Sequence, residues 1–255
     1  MKMLNSYLTI FFSMTSILLH AQTPKQIESD LLKSFKKIDY WSQKRNDTTF
    51  DIIKVEDSLA KANDVFAKKL ENYAGKFPST LTQKFQSLHD AGLGIASSVD
   101  GRLRIYFWDT NMGGTQIDYR NIVQYKMGVK TNSIDVDGSF AYGRIYTLKK
   151  DAGTYYLAIF TARISSQEYS SGVQVFTIQN NSLNDNVKLI KTSTGLHSML
   201  EFSYVEDYQG NDGAEILYDE KSAILKIPVV LENGKTNGNY ITYKFTGQYF
   251  ERVKN

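Results

Sequence analysis

Apolar residues in the first third of the chain recur with the period of a helix. Ile27, Leu31, Phe35, Ile38 and Trp41 share one stripe of a segment that begins Thr23-Pro24, and such spacing gives an α-helix a single apolar face. Thr23 is placed as N-cap, Pro24 as the first helical residue and Gln26 to complete a capping box. The polar run "KRNDTT" breaks the pattern. A second stripe follows at Ile52, Val55, Leu59, Ala62, Phe66, Leu70 and Tyr73, with Gly75 and Pro78 placed to stop it. A short third helix is expected over 81–89. Each long helix is apolar on one side only, so each needs a surface to pack on.

From about Leu93 the period shortens to 2. Strand-like runs recur as "LRIYFW", "TQIDY", "GRIYTLKK", "TYYLAIFTAR", "GVQVFTIQ", "AEILYD", "AILKIPVVL" and "YITYKF". Between them stand Asp100-Gly101, Asp137-Gly138, Asn180-Asn181, Asp212-Gly213, Asn233-Gly234 and Asn237-Gly238, the dipeptides that supply positive φ in tight hairpins. Pro228 interrupts one run and marks an edge or a bulge. The expected fold class is α+β: a helical region over 22–92, its hairpin packed on an antiparallel β domain over 93–255. A sandwich or curled meander is favoured over a partial propeller-like array, since Trp108-Asp109 is a solitary Trp-Asp pair without the periodic repeats of propeller blades.

The stretch "DGRLRIYFWDTNMGGT" concentrates the most distinctive residues. Read as a strand leaving an Asp-Gly turn, it places Leu103, Ile105 and Phe107 on one face and Arg104, Tyr106 and Trp108 on the other. An exposed Arg104–Tyr106–Trp108 face could stack on a sugar or peptide, with Asp109 as polar anchor. Buried, the same face is packing against the helices, the more usual fate of a Trp in a β domain, and Arg104 then needs a carboxylate partner. Together with "YAGKFPSTLTQKF" and "YKFTGQYFE", this segment resembles a group of exported bacterial proteins without an assigned activity. They share Asp-Gly, then Arg-Ile-Tyr-x-Trp-Asp-Thr, then Gly-Gly. The resemblance implies export and a shared fold and carries no catalytic residue. Phe107 departs from it, standing where a small polar residue is expected.

The first 21 residues have the layout of a secretory signal peptide: Lys2, an apolar run over 8–19, and a small Ala21 before the expected cleavage point. That run is shorter than the ~20 residues of a membrane span, so the expected destination is secreted or periplasmic, with no transmembrane segment after cleavage. Cysteine is absent, which removes disulfides, thiolate catalysis and cysteine-ligated metals. The net charge of +3 is spread among nearly equal numbers of acids and bases. Nucleic acid is not an expected partner, because its binders cluster their cations.

Chemistry-bearing patterns are sparse. Ser34 and Lys37 match Ser-x-x-Lys but lie mid-helix, and "GLGIAS" leads into a hairpin instead of a helix. His89 and His197 stand in unrelated contexts, and neither "SIDVDG" nor "DYQGNDG" completes a calcium loop; Arg144 occupies the closing position after the first. No metal or cofactor is expected. Glu201, Glu206, Asp207, Asp212 and Glu215 gather around a turn and could serve a glycan-directed hydrolase, although polar residues fill turns for structural reasons as well. The favoured expectation is an exported, non-catalytic binding or envelope-interaction module, its partner a glycan, a peptide or an envelope protein.

Overall fold

A computed structural model describes residues 22–150, 153–205 and 215–253. The expected signal peptide and the Asp212-Gly213 turn lie outside the described residues. Helices α1 (Pro24–Gln43) and α2 (Ile52–Lys76) bear the expected stripes, with the capping box at Thr23 and Gln26 formed and Asp51 capping α2. Gly75 sits inside α2, where a Cβ would come within 3.1 Å of Ser133 Oγ. Its role is close approach to the sheet, not termination. The expected third helix is split into a 3-10 turn at Pro78–Leu81 and α3 (Gln86–Asp90). Phe85, at a left-handed φ of 50°, interrupts it.

Fifteen strands follow among the described residues. They are β1 (Gly94–Ser97), β2 (Leu103–Asp109), β3 (Tyr119–Met127), β4 (Lys130–Val136), β5 (Ala141–Lys150), β6 (Gly153–Arg163), β7 (Glu168–Gln179) and β8 (Ser182–Asn184). The rest are β9 (Ile190–Thr192), β10 (Gly195–His197), β11 (Met199–Val205), β12 (Leu217–Asp219), β13 (Ile224–Val230), β14 (Thr236–Phe245) and β15 (Phe250–Arg252). They form three sheets, in the orders β1-β2-β3-β4, β11-β7-β6-β5 and β10-β9-β15-β14-β13-β12, with β8 added to β7. All neighbours are antiparallel except β15 and β9. The fold is α+β, and its three stacked sheets extend beyond a two-sheet sandwich.

Three cores separate four layers. Ile27, Leu31, Phe66 and Trp108 join the helices to the first sheet. Ile105, Val123, Tyr156 and Phe160 lie between the first and second sheets, and Leu157, Val173, Leu225 and Phe250 between the second and third. The far side of the third sheet exposes Lys226 and Lys244, and that polar face ends the stack.

Local differences from the expectations have physical causes. The run 115–119 is loop until Tyr119, while β3 and β4 form where alternation is weak. On the helix side of those strands the buried residues include Gln124, Thr131 and Ser133. Gln124 and Thr131 donate to the Ala74 carbonyl and Ser133 to that of Glu71. Polar residues therefore occupy inward positions and blur the sequence pattern. Asn237-Gly238 lies within β14, opposite the register shift near Pro228, so it forms a bulge instead of a turn.

Candidate functional site

The Arg104–Tyr106–Trp108 face is buried, not open to solvent. Trp108 and Tyr106 are 0% exposed and Arg104 7%, because the helices cover this side of β2. Trp108 meets Phe66 edge-on at 4.9 Å, and its indole N–H donates to Asn63 Oδ1 at 2.9 Å. Asn63 in turn donates to the carbonyls of Leu59 and Thr110. The Tyr106 hydroxyl donates to Gln124 Oε1 at 2.8 Å. Burial holds that phenol in its protonated form by raising its pKa.

Arg104 solves its desolvation problem without the expected carboxylate. Its guanidinium donates to the carbonyls of Thr80 and Gln83, both at 2.6 Å, and to Ser97 Oγ at 2.9 Å. The Thr80 carbonyl belongs to the 3-10 turn, and carbonyls at the end of a helical turn carry partial negative charge that favours a cation. Strand β1, the 3-10 turn and the loop that follows it are thus fastened to β2 by one side chain. The residues that mark the sequence serve to dock the helices.

The other sequence candidates are dispersed. Asp109 is half-buried and accepts from the Asn111 N–H at 2.7 Å, shaping the loop after β2. Phe107, the departure from the resemblance, lies across Gly94 on the neighbouring strand, where a Cβ would come within 2.1 Å of its ring. Glu201 is exposed on β11 of the second sheet, and Glu215 is exposed ahead of β12 in the third. Glu206, Asp207 and Asp212 lie outside the described residues.

A different place gathers chemistry. The edge strands β1, β5 and β12, one from each sheet, line a cleft of about 650 Å³. Ser97 of β1 and Val99 of the turn after it contribute from one side, residues 143–146 from β5, and residues 218–221 from β12 and the turn after it. Tyr146 and Tyr218 meet edge-on at 5.3 Å. Tyr218 is 8% exposed, and its hydroxyl has no hydrogen-bond partner among the described residues. Burial, followed by the charges of Glu220 and Asp219, pushes that phenol up to about 12.

The charged groups of the cleft divide into engaged and available. Asp219 accepts from Ser222 Oγ at 2.6 Å and the Lys221 N–H at 3.0 Å, contacts that, Ser222 first, hold its carboxyl below the usual range. Glu220 accepts from the Thr147 N–H at 3.3 Å. Arg144 is exposed in the bulge between Tyr142 and Ile145, and its contact among the described residues is a long 3.4 Å approach to Tyr146 Oη. Tyr146, through that hydrogen bond and then its charge, leads in raising the Arg144 pKa, and the charge of Glu215 follows. Lys221 is exposed and forms no salt bridge among the described residues. The cleft therefore offers two donors with little to hold and two acceptors fixed in place.

Sequence reasoning met Arg144 only as the residue that leaves a calcium loop incomplete, and it assigned no role to Tyr146, Tyr218, Asp219, Glu220 or Lys221. The available signal was a second Arg-Ile-Tyr at 144–146, after Gly143, echoing 104–106. Searches against protein-family models, curated proteins and solved structures found no match.

Proposed function

We propose that this is an exported binding protein that holds a polar ligand in the cleft between β1, β5 and β12 without transforming it. The observation that carries the reading is the division of charge in that cleft. Asp219 and Glu220, the carboxylates lining it, are occupied by backbone donors, and Asp219 is kept ionised by its own turn. A general acid needs a proton to give near working pH, so Asp219 is suited to accepting hydrogen bonds. The aromatic pair and the exposed Arg144 supply the apolar patch and the few polar groups that binding pockets use. Export rests on the layout of residues 1–21, and the resemblance to exported proteins agrees with it.

Two measurements test the reading. Mass spectrometry of the protein from the extracytoplasmic fraction should find Gln22 as its N-terminus; retention of residues 1–21 in the cytoplasm contradicts export. Envelope glycans and peptides incubated with the protein should be recovered unchanged in mass. Shortened products that disappear when a cleft carboxylate is replaced would make it a hydrolase.

A further inference from the structure

The chemistry of the cleft narrows its ligand, provided that the binding reading holds. We infer that the cleft takes an acidic saccharide, its carboxylate on Arg144 and Lys221 and a sugar ring against Tyr146. A guanidinium matches a carboxylate with two parallel hydrogen bonds, and Arg144 is exposed, lines the cleft and spends one long hydrogen bond on Tyr146, with Glu215 the acidic group acting on it from nearby. Tyr146 is partly exposed beside it and offers a ring to an apolar sugar face. Asp219 and Glu220 keep spare lone pairs for sugar hydroxyls.

An extended peptide fits the cleft less well. Such ligands are recognised by pairing their main chain with an open strand edge, and the edge of β5 is already engaged at Ile145 and Thr147. Ile145 bridges to Ser98, and the Thr147 N–H is held by Glu220. These contacts blunt the edge as natural sheets do to avoid stray pairing. Side-chain recognition remains, which suits a ligand dense in hydroxyls.

The test is calorimetric titration of the protein, purified after expression of the full chain, with four probes. They are a hexuronate oligosaccharide, its methyl ester, a neutral oligosaccharide of equal length, and an acidic peptide. The hexuronate should bind, and esterification or Arg144→Ala should weaken it about ten- to a hundred-fold. Arg144→Lys should fall between, Tyr146→Ala should weaken the hexuronate and its ester in parallel, and added salt should weaken the hexuronate alone. Equal binding of the ester, or preference for the neutral sugar or the peptide, overturns the ligand class. If those rival ligands still respond to Tyr146→Ala, the cleft remains a binding site. Hexuronate binding insensitive to both positions, or no hexuronate binding, overturns the inference. Shortening of the oligosaccharide overturns the binding reading itself. Unchanged unfolding midpoints of the variants exclude a folding artefact.

Discussion

The tripeptide Arg-Ile-Tyr occurs on β2 and again on β5, and the two copies have opposite fates. At 104–106 the arginine is buried, gives hydrogen bonds to two carbonyls and a serine hydroxyl, and sits beside a tyrosine hidden from solvent. At 144–146 the arginine is exposed on a bulge of an edge strand, with one long contact to its tyrosine. Ile105 and Ile145 nonetheless face the same core between the first two sheets. What differs is the layer on the other side. Helices cover the second strand of the first sheet, while β5 borders the cleft. Local sequence sets the alternation, and the neighbouring layer decides whether an arginine is buried as a fastener or left exposed beside a cleft.

The contrast can be broken by substitution. Trp108→Ala should cost the most, about 3–5 kcal/mol in denaturant unfolding, since it empties a closed site beside Phe66. An effect below about 1 kcal/mol would place that indole at a yielding surface. Arg104→Met should cost about 2–4 kcal/mol, because the Thr80 and Gln83 carbonyls lose a charged donor inside the protein. Arg144→Ala should change stability by no more than about 0.5 kcal/mol. Equal losses at positions 104 and 144 would erase the distinction.

A smaller effect sharpens the comparison by testing how the helices are held. Asp30 on α1 accepts from Lys69 and Tyr73 on α2, and the Lys69 contact leads in lowering its pKa below 3.8. The folded value lies below the unfolded one, so the contribution is complete above the unfolded value. It fades as pH falls through the folded value. The pair is more than a third exposed, so Asp30→Asn should cost under about 1 kcal/mol at pH 7 and almost nothing below the folded value. Unfolding measured at both pH values checks this. A larger loss would shift the docking of the helices from the buried seam to their surface.

Helices α1 and α2 were legible from their stripes and caps, because their apolar faces pack on apolar neighbours. The hairpin signals at Asp100-Gly101 and Asn180-Asn181 were legible too, since both asparagines and Gly101 take the positive φ such turns need. Strands β3 and β4 were harder to read because Gln124, Thr131 and Ser133 point inward to helix carbonyls. The cleft was hidden for a different reason. Its parts lie near 97, 144 and 219 in the chain and meet only through the stacking of three sheets. Aromatic density drew attention to 104–109, yet density of that kind marks a well-packed seam as readily as a binding face.

The most direct test of the two arginines together is mass-spectrometric footprinting with a guanidinium-directed dicarbonyl reagent, with and without the hexuronate oligosaccharide. Arg144 should react quickly and be protected by the sugar, while Arg104 should stay unmodified until the protein unfolds. Reaction of Arg104 in the folded protein, or indifference of Arg144 to the sugar, would contradict the account.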